Sequence, residues 1–515
     1  MQLNLILKIA VLLYLCAVPA GAISGQRVPT KQDELIAPEQ ARSDLQAMYA
    51  GLRSAHVDLY AFTSKARMDQ AYRETLRRLT MPMARRDLAL RLQTFAATAR
   101  MGHTRIEPSS EAWQAYRDAG GKAFPLLIRV LNDRVYVGRN LSGLSAIAAG
   151  DELLRLDGRP IKEWLVSSMR HLPAETPYMA HSFMEQRFSE LLWQEIGARP
   201  SFRLQLRRGS RVADVAVPAL TRVEMDAFGA ALPPGLVLDW RREARVQGRV
   251  GYLRPGPFFN PAATSDAAMY DDGGFRRFID EAFTSFIAAD VKSVLIDIRS
   301  NPGGDNSFSD HMVAWFADRP FRFVSTFKVR VSPEATAANR ARLDHDPTNA
   351  ISRKYAQLYA RARPGEFVDF EIPEARPRQG RRFTGAVYLL IDRHSYSNAA
   401  ALAAMVQDYG FATVLGEPTS ELVSGSTAME MFTLPASGLK VTFTKARFVR
   451  PSGDPRPSGV VPDVLIPSPV VQTPADEVLQ AAFDVVARRS SEPRGGEDAK
   501  SRSPIRQVGS RRKIR

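Results

Sequence analysis

The chain has 515 residues, of which 45% are hydrophobic, 24% charged and 9% aromatic, and Lys plus Arg exceed Asp plus Glu by fifteen. These proportions are typical of globular domains and exclude a collagen-like chain, a fully disordered chain and a protein with many membrane spans. At about 100–200 residues per domain, the length predicts about three domains.

The first predicted element is a secretory signal at residues 1–22. One early cation, Lys8, precedes an apolar run, and small residues end the segment at Ala22. The run is short for a membrane span, although a membrane anchor remains an alternative. Cleavage near Ala22 removes Cys16, the one cysteine of the chain, and excludes a thiol nucleophile, a cysteine zinc site and disulfides. We therefore expect a secreted or periplasmic protein.

A helical domain is predicted over residues 31–110. Apolar residues recur at helical spacing, with Leu45, Met48 and Leu52 on one stripe. The pattern stops at Gly102-His103-Thr104. We expect a loop there that presents His103, although a histidine that caps the preceding helix explains the position equally well.

A β-rich domain is predicted over residues 122–220. Two strand-like runs, 126–130 and 134–137, flank an Asn-Asp turn and indicate a hairpin. The pattern Gly-Asp-Glu-Leu-Leu-x-Leu-Asp-Gly at 150–158 resembles that of PDZ domains, which bind peptides by adding a strand to a sheet edge. The alternative is a small β domain without a ligand.

A layered α/β domain is predicted over residues 245–470. The runs 293–298 and 386–391 are continuously apolar, as buried strands are, and each is followed by a helical pattern, at 309–316 and 398–409. Strand–helix alternation of this kind predicts a layered sheet with right-handed crossovers. The polar, helical stretch 344–370 has the character of an insertion.

The chain ends in a basic tail at residues 488–515, which holds ten cations and three acidic residues and almost no apolar ones. This composition predicts disorder. The tail could adhere to an anionic envelope surface, but a solvated tail is the simpler interpretation. We expect no nucleic-acid partner, because a secreted protein meets little nucleic acid.

Two loops follow the two apolar strands. In the first, Pro302-Gly303-Gly304 forces an irregular turn whose amides can converge on one point, as an oxyanion requires, although a tight strand-to-helix turn needs the same residues. In the second loop, Ser397 precedes a helix and could be an N-cap or a nucleophile.

A serine nucleophile needs a base, and seven histidines are available. His103 stands in a predicted loop, whereas His394 lies three residues from Ser397 but would point elsewhere in a strand-to-helix turn. Neither a Gly-x-Ser-x-Gly elbow nor a His-Glu-x-x-His metal helix occurs.

Four motifs together resemble the tail-specific, or C-terminal processing, serine peptidases. They are the Asp-x-Arg-x-Asn-x-Gly-Gly run at 297–304, the nucleophile segment at 393–400, Gly416-Glu417-Pro418-Thr419, and the closing Gly-Val-x-Pro-Asp at 459–463. The resemblance spans roughly residues 56–467 and implies an α/β multidomain fold. That fold comprises an N-terminal helical region, a PDZ-like β domain and a layered catalytic domain of the ClpP/crotonase-like kind.

The sequence is more similar to one branch of this family than to the other. Leu422 occupies the position of the lysine base of the processing-peptidase branch and cannot accept a proton. Gly102-His103-Thr104 is similar to the histidine loop of the tricorn and retinoid-binding-protein-like branch. Two residues depart from that pattern, Met101 in place of an aspartate and Asn398 in place of a small residue.

The resemblance implies a peptidase in which Ser397 attacks and His103 acts as base. Backbone amides of Gly303, Gly304 and Asn398 would hold the oxyanion, and the orienting acid would be Asp454 or, as second candidate, Glu421. It implies a peptide or protein substrate, and no metal or organic cofactor is required. A catalytically silent peptide- or ligand-binding protein and an envelope-attached scaffold remain alternatives.

Overall fold

The computed structural model describes residues 34–107, 110–232, 240–264, 268–471, 473 and 475–491. The predicted signal at 1–22 and the part of the predicted tail beyond residue 491 lie outside the described residues. Within the described ranges, no helix is both long and apolar enough to cross a membrane.

Helices and strands alternate along most of the chain. The helices are α1 Pro38–Ala55, α2 Lys65–Arg78, α3 Arg85–Ala97, α4 Glu111–Asp118, α5 Ile161–Met169, α6 Pro177–Ile196, α7 Arg222–Ala231, α8 Gly273–Ala288, α9 Asn306–Val313, α10 Pro333–His345, α11 Ala350–Tyr359, α12 Asn398–Tyr409 and α13 Glu477–Ser491. The strands are β1 Leu35–Ile36, β2 Met83–Ala84, β3 Ile106–Glu107, β4 Leu126–Leu131, β5 Arg134–Asn140, β6 Glu152–Leu156, β7 Arg159–Pro160, β8 Ser201–Arg208, β9 Arg211–Pro218, β10 Glu243–Gln247, β11 Val250–Arg254, β12 Ser293–Asp297, β13 Thr326–Arg330, β14 Phe367–Asp369, β15 Ala386–Ile391, β16 Thr413–Gly416, β17 Gly425–Thr433, β18 Lys440–Val449 and β19 Val464–Leu465.

The predicted α/β layer is present as a six-stranded sheet of order β10-β11-β12-β15-β16-β19. All neighbours from β11 to β19 pair in parallel, and β10 adds an antiparallel edge. Helices α8, α9 and α12 bury one face of this sheet. Because parallel sheets are covered on both faces, the continuous apolar composition of β12 and β15 follows from their central positions.

The second face of this sheet is covered by α13, which the predicted boundary at residue 470 left out. Val478, Ala482 and Phe483 pack there against Leu295 and Leu390. The domain therefore extends past its predicted end. Arg488 and Arg489, which belong to the predicted tail, lie at the end of α13.

The N-terminal helices do not form a separate domain, which corrects the prediction for residues 31–110. An antiparallel sheet of order β14-β13-β18-β17 forms a second layer, and β3 pairs with the first two residues of β18. Leu45, Leu52 and Leu92 share one buried cluster with Val441 and Phe443 of β18. Helices α1 to α3 thus bury their apolar faces on strands that come more than 300 residues later in the sequence.

The β-rich unit occupies the predicted range and has an antiparallel sheet of order β4-β5-β6-β8-β9. The predicted hairpin is confirmed as β4 and β5, joined at Asn132 and Asp133, both with positive φ. The 20-residue helix α6 was not predicted; it packs with α5 against the sheet. Peptide binding by this PDZ-like unit stays a prediction.

The elements nearest the second loop match their predictions closely. Strand β15 covers residues 386–391 and helix α12 covers 398–409, as expected from their apolar runs. Helix α9 begins and ends three residues earlier than predicted, with Asp305 as its N-cap. The stretch 344–370 holds the end of α10, all of α11 and the short strand β14.

Candidate active site

The two predicted loops meet at the carboxyl ends of β12 and β15. These strands are parallel neighbours, with Asp297 aligned to Leu390, so the residues that follow them emerge at the same edge of the sheet. Open α/β sheets place their ligands at this edge. The glycine turn and Ser397 are therefore brought together by strand order, although they lie more than 90 residues apart in the sequence.

Hydrogen bonds fix the two loops to each other. The Ser300 N–H donates to Asp392 Oδ1 at 2.9 Å, and the Tyr396 N–H donates to the Asn301 carbonyl at 2.9 Å. The buried Ser395 hydroxyl donates to the Ile298 carbonyl at 2.8 Å. The segment that precedes Ser397 is thus held by the loop that contains the glycines.

Ser397 has a backbone conformation that an ordinary N-cap does not adopt. Its φ is 53° and its ψ is −123°, whereas N-cap residues are usually extended, and its side chain caps none of the N–H groups of α12. A non-glycine residue in this region is strained and persists where surrounding structure enforces it, which is common at functional sites. Ser397 therefore occupies the N-cap position of α12, but its side chain does not cap the helix.

Gly303 lies directly against this serine. A Cβ at Gly303 would stand 2.8 Å from the Ser397 Cβ and 2.7 Å from the Asn398 nitrogen, and the φ of Gly303 is +88°. A Cβ at Gly304 would stand 2.1 Å from the Phe258 carbonyl oxygen. Only glycine allows the turn to approach the start of α12 this closely.

The predicted set of oxyanion donors needs one correction. The N–H of Gly303 already donates to Asn301 Oδ1 at 2.9 Å, so it is not available to a substrate in this arrangement. Within the described part of the chain, the N–H groups of Gly304 and Asn398 donate to no protein acceptor. Asn398 also lies at the first turn of α12, where the helix dipole favours negative charge.

His103 lies in a loop between α3 and β3, as predicted, and β18 anchors that loop. The Thr442 hydroxyl donates to the His103 carbonyl at 2.8 Å, and the Arg105 N–H donates to the Thr442 hydroxyl at 3.1 Å. The imidazole stacks on the ring of Tyr396, with centroids 5.2 Å apart. His103 therefore lies beside the residue that precedes Ser397, although the two come from different layers of the fold.

Glu421, not Asp454, is the acid that faces His103. The Glu421 carboxylate lies 3.8 Å from His103 Nδ1, and both side chains are about nine-tenths buried. Asp454 instead forms a surface ion pair with Arg456 at 2.6 Å. The first-choice acid was thus wrong, because sequence order does not show which late loop turns toward the early histidine.

Burial controls the protonation of this pair. Burial and, secondarily, the Arg105 guanidinium lower the pKa of His103 to about 3. Burial, followed by the nearby Glu175 carboxylate, raises the pKa of Glu421 well above its usual range. The imidazole is therefore neutral at pH 7 and able to accept a proton.

His394, the rival base, is bound elsewhere. Its Nδ1 lies 2.9 Å from the Ser182 hydroxyl and its Nε2 lies 3.1 Å from Glu185 Oε2, both in α6 of the β-rich unit. Both ring nitrogens therefore have partners on the far side of the loop. This geometry agrees with the expectation that a residue three positions before Ser397 points away from it.

Glu185 is the centre of a buried clasp between α6 and the nucleophile loop. Its carboxylate accepts from the Val130 N–H at 2.8 Å, from Arg393 at 3.2 Å and from Arg129 at 3.2 Å. Arg393 also donates to the Val130 carbonyl at 2.9 Å and pairs with Glu417. The clasp joins the outer edge of β4 to the segment that holds Ser397.

We expect Glu185→Ala to destabilise the protein by about 3–5 kcal/mol, because it leaves two buried guanidinium groups without their shared partner. Chemical denaturation measures this loss. The matched control is Glu163→Ala, which removes an exposed ion pair with Arg159 in the same unit and should cost less than about 1 kcal/mol. An equal loss of unfolding free energy in the two variants would show that the clasp stabilises the protein no more than an exposed ion pair does.

Three side chains near the site were not predicted: Glu175, Glu185 and Tyr396. Tyr396 lies within the nucleophile motif, so its position next to Ser397 was a usable signal. The two glutamates precede or lie in a helix that the sequence analysis missed, and nothing in their local sequence marks them.

The site shows no arrangement suited to a metal ion. Across the described ranges, no three or more His, Cys, Asp or Glu side chains come close enough together to hold one. The groups that meet at this edge are a serine, an imidazole, two carboxyl groups and free backbone amides.

Comparisons with known proteins agree with this geometry. Residues 249–466 match the model of peptidase family S41, a range that contains both loops and Ser397. Among solved structures, mature CPAF complexed with lactacystin is 14% identical with a TM-score of 0.59, and the match covers 88% of this chain and 97% of that one. Another structure of mature CPAF gives 15% identity, a TM-score of 0.57 and coverage of 88% and 96%.

A photosystem II D1 C-terminal processing protease is 18% identical over 87% of this chain and 96% of its own, with a TM-score of 0.42. The CPAF similarity shows that the arrangement of all the layers, and not only of the sheet with Ser397, occurs in a known structure. The family match covers the domain that carries the predicted motifs. Residues 249–466 therefore match peptidase family S41, which is the family that the four sequence motifs resemble, and this match supports a serine-type peptidase.

Proposed function

We propose that this protein is a secreted peptidase that cleaves peptides or unfolded protein ends through Ser397, with His103 as the base. The observation that carries the proposal is the strained backbone of Ser397 at the start of α12, against Gly303 and beside the His103 ring. Strained residues cluster at functional sites, and a serine whose side chain caps no helix N–H, next to unpaired amides, suits nucleophilic attack with stabilisation of an oxyanion.

The first step is attack on the scissile carbonyl. The Ser397 hydroxyl oxygen forms a bond to the carbonyl carbon while its proton passes to the free nitrogen of His103. The carbonyl oxygen becomes an oxyanion that the N–H groups of Gly304 and Asn398 stabilise. Loss of one such donor typically raises the barrier by about 3–4 kcal/mol.

The second step expels the amine, which receives the proton from His103. Water then attacks the acyl-enzyme, His103 accepts a proton from that water, and the returned proton restores the Ser397 hydroxyl. Glu421 faces Nδ1, so Nε2 is the nitrogen left for the serine. Because leucine stands at the lysine position of the other branch, no Ser/Lys dyad operates here.

The β-rich unit would hold an extended substrate segment next to the site. The edge of β4 at Val130 is already bound by Glu185 and Arg393, so strand addition has to use another stretch of edge. The contacts of Arg393 with Glu185 and Val130 also mean that a movement of the β-rich unit would displace the nucleophile loop. We propose that interdomain closure gates activity through it.

Reaction with a fluorophosphonate tests the proposal. We expect a stoichiometric mass increase on intact protein at pH 7.5, located by peptide mapping on Ser397, together with cleavage of an unstructured polypeptide. A silent peptide-binding protein would bind such a polypeptide without labelling or cleavage. Labelling at any other serine would contradict the proposal.

Export and surface attachment belong to the same proposal. Cleavage of the signal near Ala22 would place the enzyme outside the cytoplasm, where N-terminal sequencing of the purified protein can detect a start at residue 23. The tail beyond residue 491, with eight cations, would offer a weak electrostatic attachment to anionic envelope polymers. Such attachment is lost at high salt.

A further inference from the structure

A group of buried polar side chains lies beside His103, and the mechanism above gives a role to Glu421 alone among them. Glu175 comes from the β-rich unit, in the connection between α5 and α6, while Glu421 and Tyr396 come from the α/β domain. Glu175 and Glu421 are buried, and Tyr396 is partly buried with its hydroxyl oxygen inside the protein. Tyr396 and the Glu421 side chain interact with each other, whereas Glu175 Oε2 has no hydrogen-bond partner in the described chain. A buried carboxyl oxygen without a partner, close to a second buried carboxyl group, needs an explanation.

Glu175 contacts the histidine loop directly. Its Oε1 accepts a hydrogen bond from the Gly102 N–H at 2.9 Å, and its backbone carbonyl accepts from the Arg100 side chain at 2.9 Å. These two bonds hold the residues on the N-terminal side of His103, while Thr442 holds the loop at His103 and Arg105. The loop is therefore fixed at both ends, and one end depends on another structural unit.

Glu175 Oε2 and the Tyr396 hydroxyl oxygen both lie close to Gly102. A Cβ at Gly102 would lie 2.9 Å from Tyr396 Oη and 3.2 Å from Glu175 Oε2, so both oxygens border the same small space and only glycine fits there. Tyr396 stacks on His103, and Glu421 lies against the same imidazole. Two carboxyl groups, a phenol and the imidazole thus form one connected cluster.

We propose that Glu175 is a positioning residue of the peptidase site, which holds the Gly102-His103 loop and, through its charge, influences the ionisation of the nearby Glu421. This inference rests on the proposed roles of Ser397 and His103. Protonation of one of the two groups explains how both carboxyl groups can be buried in one cluster, since two nearby buried negative charges repel each other strongly.

The influence of Glu175 on Glu421 has a definite electrostatic direction. Burial raises the pKa of Glu175 and of Glu421, and the charge of Glu175 raises the pKa of Glu421 further. The charged neighbours are Arg100 beside Glu175 and Arg105 beside Glu421 and His103, and both favour the ionised carboxylates. Ionised Glu421 stabilises the imidazolium that forms when His103 takes the serine proton.

Removal of the charge on Glu175 should therefore let Glu421 ionise at lower pH. In Glu175→Gln the amide oxygen can still accept from the Gly102 N–H, but the competing charge is gone. We expect the acidic limb of the pH profile for fluorophosphonate labelling to move to lower pH by about one unit, at the lower end of the effect of a neighbouring charge. Glu175→Ala should show the same shift and also slow labelling at the optimum by about ten-fold or more, since the histidine loop loses its anchor.

The experiment measures the labelling rate of the full chain from pH 4.5 to 8.5, with thermal denaturation of each variant to verify folding. Glu163→Gln is the control, because it removes an exposed charge in the same unit and should leave the acidic limb in place. An unmoved limb in folded Glu175→Gln overturns the inference. If the wild type does not label at Ser397 at all, the proposed function fails instead, so the two failures are distinguishable.

Discussion

Ser397→Ala should abolish peptide hydrolysis and fluorophosphonate labelling, with a loss in kcat of about 10⁴-fold or more. The reason is that Ser397 is the hydroxyl-bearing residue whose Cβ lies against Gly303 at the start of α12, next to the proposed oxyanion donors. Thermal stability should be unchanged or slightly higher, because the Ser397 hydroxyl caps no helix N–H and its loss removes no such hydrogen bond. Kinetics on an unstructured peptide, with intact-protein mass spectrometry, measures both properties.

The matched control for this variant is Ser395→Ala, two residues earlier in the same loop. The Ser395 hydroxyl is buried and donates to the Ile298 carbonyl, so its loss should cost about 1–3 kcal/mol of stability. Labelling at Ser397 should persist in that variant. Activity that survives in Ser397→Ala but disappears in Ser395→Ala would show that Ser397 is not the nucleophile.

His103→Ala should lower kcat/KM by about 10²–10⁴-fold, the usual contribution of a general base. In the proposed mechanism the imidazole accepts the serine proton, and burial keeps it neutral over the working pH range, with a pKa near 3. Substrate affinity should change little, because the proposed role of His103 concerns the reacting atoms and not the rest of the peptide. Steady-state kinetics with a peptide substrate at pH 7.5 separates the two parameters.

His394→Gln provides the comparison that identifies the base. His394 is bound by Ser182 and Glu185, so its replacement should lower stability more than turnover. If His394→Gln lost as much activity as His103→Ala while both stayed folded, the base would be His394 and the domain-crossing arrangement would be wrong. Hydrolysis rates measured well below each melting temperature avoid confusion with unfolding.

The loops that follow strands were predictable because local pattern controls them. Continuous apolar runs placed β12 and β15, a glycine pair placed the turn, and a helical pattern placed the start of α12 one residue after Ser397. Parallel pairing then brings the two loop ends to one edge of the sheet. The positive φ of Ser397 was not predictable, because it results from contacts with the glycine turn and not from its own side chain.

The acids of the site could not be chosen from sequence order. Asp454 and Glu421 both follow the nucleophile, and only the path of the chain between β16 and β17 shows that Glu421 turns inward while Asp454 pairs with Arg456 at the surface. The position of Glu175 beside His103 could not be predicted, because Glu175 belongs to the β-rich unit. Long-range packing decides these positions, and local patterns carry no information about it.

The same limit explains the errors in the domain boundaries. The stripe of α1 predicted a helix with one buried face but not its partner, which is a sheet built from strands near residue 440. Helix α13 was missed because a short apolar stripe precedes a basic tail, yet it is required to cover the second face of the parallel sheet. Composition located the elements, while the need to bury each face determined the boundaries.

A crystal structure of the phosphonylated protein would test the central geometry most directly. We expect phosphorus bonded to Ser397 Oγ, one phosphonyl oxygen within hydrogen-bond distance, about 3 Å, of the Gly304 and Asn398 nitrogens, and His103 Nε2 facing the serine oxygen. Glu421 should remain on the Nδ1 side of the ring. An adduct whose oxygen points away from both amides, or an imidazole turned out of reach of Ser397, would contradict the account.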